Sequence, residues 1–144
     1  MSSIREVVRD REIFTVEAED TVFAAARFMH GHNIGAVPVL SRGELVGVFS
    51  ERDVVTRVML EGRDPNKTPV GEVMTCDPQV VDPEESAERC LIFLKQGGFR
   101  HLPVVRDGAL VGFLSMRDLL LHDIDEKEVE VRMMRAYMNG GAGD

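Results

Sequence analysis

The sequence predicts an α/β (α+β) fold: two copies of one β-α-β-β-α unit packed together, followed by a C-terminal helix. Three observations predict it. Residues 16–54 moved forward by 65 positions fall on residues 81–119 without a gap, identical at 12 of 39 positions. In both copies apolar residues recur at helical spacing, and in both a Gly-bearing turn joins two short β-rich runs. A repeat of this length is a supersecondary unit that cannot bury its apolar face alone, so the copies are expected to share one body. Function is then expected in the crevices between them.

Each copy opens with a β-rich stretch, residues 12–16 and 79–81. The turns Glu19-Asp20-Thr21 and Glu84-Glu85-Ser86 follow, and their carboxylates and hydroxyls suit the unpaired N–H groups and positive end of a helix N-terminus. The helix itself is read from Val22, Ala25, Ala26 and Met29, and again from Ala87, Cys90, Leu91 and Leu94. That is i, i+3, i+4, i+7 both times, one apolar face turned to a core. Gly31 and Gly97-Gly98 end these helices.

Strands are predicted at 36–40 and 45–49 around a three-residue turn, Ser41-Arg42-Gly43, and at 102–105 and 110–114 around Arg106-Asp107-Gly108. A short loop ending in Gly is a hairpin signal. Pro38 and Pro103 within the first strand of each hairpin argue that it pairs on one side or starts late. Short helices are predicted at 51–60 and 116–121. The resulting boundaries are 1–62 for the first copy, a turn-rich linker 63–69, and 70–123 for the second copy. An amphipathic helix 124–138, marked by Val129, Met133 and Tyr137, and a disordered tail 139–144 complete the chain.

With 144 residues, 44% of them hydrophobic, the chain has enough material for a core. No apolar run approaches the roughly 18 residues that span a membrane, and the charged N-terminus is unlike a secretory signal. No membrane insertion is expected, and a cytoplasmic location is. The net charge of −8 with no basic block argues against nucleic acid as a partner. It does not forbid a small anion, because screening over about 8 Å leaves that decision to local groups. Cys90 falls on a helix face as a small buried hydrophobe. His30 and His32 have no acidic or Cys partner at ligand spacing, so no metal is expected. No nucleophile has a credible neighbouring base, so an enzyme is not expected.

The chemistry-bearing motif closes each copy: Gly47-Val48-Phe49-Ser50-Glu51-Arg52-Asp53 and Gly112-Phe113-Leu114-Ser115-Met116-Arg117-Asp118. Ser caps the helix and Asp at the third helical position completes a variant of the capping box. A helix start also offers N–H groups to phosphate, and a short carboxylate can accept from vicinal ribose hydroxyls, as in dinucleotide-binding folds. These two segments, with Ile34-Gly-Ala-Val-Pro-Val39, Phe99-Arg-His-Leu-Pro-Val104 and Val70-Gly-Glu-Val-Met-Thr75, resemble a stand-alone tandem pair of CBS domains over residues 4–122.

The resemblance implies pseudo-twofold symmetry, two clefts, and a regulatory role in which an adenosine derivative shifts conformation or association. The ligand it implies is AMP, ADP or ATP, with S-adenosylmethionine bound by some members, and no cofactor is required. Carried over, Asp118 holds the ribose, Ser115 and Thr75 face phosphate, Arg100 and His101 reach phosphate, and Phe99 and Phe113 line the adenine pocket. In the first copy the equivalents are Asp53 and Ser50, with Ile34 and Val48 as apolar lining. Arg100-His101 stands where the first copy has Gly35-Ala36, so the second-copy cleft is expected to be the better phosphate site. The resemblance also implies a homodimer on the helices 51–60 and 116–121, and a regulated enzyme or transporter as partner. The competing reading is a ligand-independent scaffold for oligomerisation or interaction.

Overall fold

The computed structural model describes residues 3–143, the last four as backbone alone. In chain order the elements are α1 Arg5–Val8, β1 Val16–Glu17, α2 Val22–Gly31, β2 Ala36–Ser41, β3 Glu44–Ser50 and α3 Glu51–Asp53, which continues as a π-helical segment Val54–Met59. Then follow α4 Val70–Val73, β4 Thr75–Cys76, α5 Ala87–Gly97, β5 His101–Arg106, β6 Ala109–Ser115 and α6 Met116–Gly143. The strands form one sheet ordered β1-β2-β3-β4 and one hairpin, β5-β6.

The repeat read from sequence is a repeat of register. Ala36 pairs with Ser50 and His101 with Ser115; Val37 with Phe49 and Leu102 with Leu114; the ladders close at Ser41–Glu44 and Arg106–Ala109. Both hairpins carry a bulge at the same place, Val39/Leu40 and Val104/Val105. Because Ser41 and Arg106 are paired, the loops have two residues and not three. Arg42 and Gly43 both have positive φ, as do Asp107 and Gly108, which is what a type I′ turn demands. β2, the strand that holds Pro38, pairs on both sides, but β1 meets it only beyond the proline, at Val39 and Leu40. In the second copy that parallel contact shrinks to one bridge, Val81–Val104.

Each copy packs its own core, with the predicted helix faces turned inwards. Val22, Ala25 and Met29 meet Val37, Val39 and Phe49. Cys90 and Leu94 meet Leu102, Val104 and Leu114. A fully buried side chain such as Phe49 or Leu114 contributes about 1.5–3 kcal/mol by leaving water.

The opening segment of each copy crosses to the other. Ile4 and Val7 lie in the second-copy core, while Val70 and Val73 lie in the first. Ile4 and Arg5 donate to the carbonyls of Glu85 and Pro83 at 2.8 and 3.0 Å; Val70 and Gly71 donate to those of Asp20 and Ala18 at 2.8 Å each. Two glycines make room. A Cβ on Gly47 would stand 2.5 Å from Met74 Sδ, and one on Gly112 would stand 2.7 Å from Val8 Cγ1. The boundary at 63–69 therefore separates the copies along the chain but not in space.

Two helix predictions need correction. The helix predicted at 51–60 becomes π-helical after Asp53. The helices predicted at 116–121 and 124–138 are one element, α6. No Gly or Pro intervenes between Met116 and Met138, and i,i+4 pairs bridge the expected break: His122–Glu126 at 3.2 Å and Asp123–Lys127 at 3.1 Å. Backbone helix also covers 139–143, where a disordered tail was expected; Asp144 lies outside the described residues.

Candidate functional site

The two capping motifs fold as expected. Ser115 accepts from the Asp118 N–H through Oγ at 2.9 Å, and Asp118 Oδ2 accepts from the Ser115 N–H at 3.0 Å. In the first copy the Asp53 N–H donates to Ser50 Oγ at 3.3 Å and the Ser50 N–H to Asp53 Oδ2 at 2.9 Å. The first helical N–H groups are also engaged, Glu51 with the Gly35 carbonyl and Met116 with that of Arg100, each at 2.9 Å. The helix starts therefore offer a phosphate less than was expected, and anion recognition falls to side chains.

Around Asp118 the two copies enclose a cavity of about 750 Å³, within the range of small-molecule sites. Six predicted residues line it: Ile34 from the first copy, with Arg100, His101, Phe113, Ser115 and Asp118 from the second. The imidazole of His101 stacks on Phe113 with centroids 5.1 Å apart and planes 13° from parallel. One face of Phe113 is thus covered within the protein. Burial pushes His101 below its ordinary value, the Asp118 charge opposing and Arg100 reinforcing, so His101 is neutral near pH 7.

The segment between α1 and β1 was not predicted to take part, yet Arg11, Glu12, Ile13 and Phe14 also line the cavity. Arg11 Nη1 lies 2.8 Å from Asp118 Oδ1. Burial would raise the Asp118 carboxyl, but Arg11 and the Ser115 hydrogen bonds outweigh it and hold the group below its ordinary value. Phe14 anchors the segment on the first copy, stacked on His32 at 4.1 Å with Phe28 edge-on at 6.0 Å.

Thr75 is on the other side. It pairs with Val48 in the β3–β4 ladder, so it belongs with Asp53 and Ser50 and not with Asp118, a consequence of the crossover. The Gly112–Val8 and Gly47–Met74 contacts equate Val8 with Met74; Thr75 then corresponds to Arg9. Phe99 lies outside the cavity, its ring against Gly97 and its packing on the second-copy core. Of the predicted first-copy group, Ile34 lines the Asp118 cavity instead, and the Asp53 carboxylate is held within the protein. Asp53 is 8% exposed and sits 3.5 Å from Arg57 Nε. Arg57 Nη1 donates to the Met74 carbonyl at 2.8 Å. The residue 65 positions beyond Arg57 is His122, which lies 3.2 Å from Glu126 along α6, whereas the arginine that meets Asp118 comes from the segment between α1 and β1.

The CBS-domain family model matches residues 4–60 and 70–125. A CBS domain-containing protein of Bacillus subtilis, YhcV, is 34% identical over 88% of this chain and 89% of its own. The mitochondrial CBS domain-containing protein CBSX3 of Arabidopsis thaliana is 33% identical over 85% of this chain; the match spans 62% of that protein's length. The structure of a putative signal-transduction protein with CBS domains from Burkholderia ambifaria superimposes with a TM-score of 0.82 at 30% identity, covering 86% of this chain and 95% of that one. The CBS domain pair of protein MJ0100, in complex with 5′-methylthioadenosine and S-adenosyl-L-methionine, has the same fold at 20% identity, with a TM-score of 0.78 over 88% and 98% of the two chains.

Proposed function

The chain belongs to the CBS-domain family, and from that premise we propose that it is a regulatory sensor that binds AMP, ADP or ATP in the Asp118 cleft. The observation that carries this reading is an inversion of charge. A protein of net charge −8 lines this cavity with Arg11, Arg100 and Arg117 against Glu12 and Asp118. Cations gathered around a carboxylate beside apolar walls suit a ligand with a phosphate, a diol and a flat base. Asp118 accepts from the ribose hydroxyls, Ile13, Ile34 and the Phe113 side cover the base, and Arg100 and Arg117 meet phosphate. That MJ0100 holds adenosine derivatives agrees with the class of ligand; at 20% identity the residues of this chain must carry the argument.

The regulatory role, with no catalytic chemistry of its own, follows from the same reading: a ligand moves an equilibrium as far as it binds two states differently. A homodimer belongs to the proposal, supported by the apolar surface of the π-helical segment and α6, where Met59, Leu60 and Leu121 are exposed. So does a cytoplasmic setting. Among the described residues no helix is long and apolar enough to cross a membrane, and the Arabidopsis relative is named as mitochondrial. A second reading, a ligand-independent scaffold that regulates a partner enzyme or transporter, is favoured by exposed Met133, Met134, Tyr137 and Met138 on α6.

Calorimetric titration of the protein with AMP, ADP, ATP and S-adenosylmethionine at one fixed salt tests the sensor. Binding of an adenine nucleotide that weakens in Arg100→Ala supports it. Silence from all four supports the scaffold.

A further inference from the structure

The cavity is already internally paired: the carboxylate assigned to the ribose is held by Arg11, from a segment outside the repeat. We infer that Arg11 is a specificity-determining residue that makes the Asp118 cleft select phosphorylated adenosines over uncharged nucleosides and sulfonium adenosines. The inference rests on the nucleotide reading and extends it.

Arg11 Nη1 and Asp118 Oδ1 are 2.8 Å apart, and the two side chains are 48% and 24% exposed. A ribose hydroxyl that takes Asp118 Oδ1 competes with that guanidinium. An uncharged nucleoside competes with the ion pair and supplies no anion in its place, in a cavity where Arg11, Arg100 and Arg117 face only Glu12 and Asp118. A phosphorylated ligand brings a new anion within the same cavity, so one charge-assisted contact is replaced by another of similar strength. A sulfonium ligand adds positive charge to the surplus.

Two features place this role at Arg11. It lies between α1 and β1, outside helix and strand, on a segment anchored at Phe14 by stacking on His32, so the side chain can turn without moving its anchor. The first copy has no equivalent: with Val8 matched to Met74, Arg11 corresponds to Asp77, and Asp53 is held by Arg57 from its own helix.

The test compares AMP with adenosine by calorimetry in the wild type, Arg11→Gln and Arg11→Lys, with thermal unfolding of each variant as a check on folding. Arg11→Gln is expected to weaken AMP about tenfold or more and to leave adenosine unchanged or tighter, so the AMP-to-adenosine preference collapses. Arg11→Lys retains part of the preference, because it keeps the charge without the planar fork. Equal weakening of both ligands in Arg11→Gln, or an unaltered preference, overturns the role of Arg11 and leaves the nucleotide reading standing. Failure of the wild type to bind either ligand overturns both.

Discussion

Gly47→Ala probes the crossover that carries the opening segment of the second copy onto the first. The added Cβ would stand 2.5 Å from Met74 Sδ and 2.6 Å from the Thr75 carbonyl oxygen. The thioether can swing away. The carbonyl cannot, because Thr75 and Cys76 are paired with Val48 and Gly47 in the β3–β4 ladder. Inserting a methyl into such a contact costs about 1–3 kcal/mol, and displacing β4 also endangers the 2.8 Å bond from Arg57 to the Met74 carbonyl, worth about 1 kcal/mol net. Replacing glycine in a strand returns about 0.5–1 kcal/mol of backbone entropy. The balance is a loss of about 2 kcal/mol, or about 4–8 °C in Tm for a chain of this size. Gly31→Ala is the control: it is the last residue of α2, and a Cβ added there would meet nothing within 4 Å, so it should be neutral or raise stability by up to about 1 kcal/mol. Urea and thermal denaturation read both. A neutral Gly47→Ala, or equal shifts in the two variants, refutes the crossover packing.

Two further outcomes follow from burial in the second copy. Cys90 is fully buried, and burial, with the Glu85 charge added, pushes its thiol up to about 11, whereas Cys76 is exposed. An Ellman titration at pH 8 should count one thiol in native protein and two in denaturant; two native thiols would contradict the packing of α5. For His101, burial lowers the folded-state pKa below the ordinary value of about 6.5. The unfolded chain then binds the proton first as pH falls, so this group's contribution to stability declines as the pH drops through the ordinary histidine range and below. His101→Gln should flatten the pH dependence of urea unfolding over that window; an unchanged slope would sink the assignment.

The hairpins, helix faces and capping motifs were legible in the sequence because each is local: paired strands, a 3.6-residue period, and a Ser and Asp three apart. The same locality explains what was missed. The shift of 65 relates residues from Val16 onwards, whereas the packing of Val8 and Met74 follows a shift of 66, so the segment holding Arg11 had no repeat to flag it. Thr75 was assigned to the wrong cleft because it stands beside the second copy in sequence and pairs with the first in space. Phe99 was expected in the adenine pocket from the resemblance alone, but its ring packs back on Gly97. The merging of two helices into α6 was readable in principle, since the stretch from Leu121 to Asp125 holds no helix breaker.

The central claim is one nucleotide cleft per chain, at Asp118 and not at Asp53. Calorimetric titration with the tightest-binding adenine nucleotide, in wild type, Asp118→Asn and Asp53→Asn, tests it most directly. The account predicts one ligand per chain, binding abolished or weakened about tenfold or more in Asp118→Asn, and binding retained in Asp53→Asn. Two ligands per chain, or loss of binding in Asp53→Asn with Asp118→Asn unaffected, would contradict it.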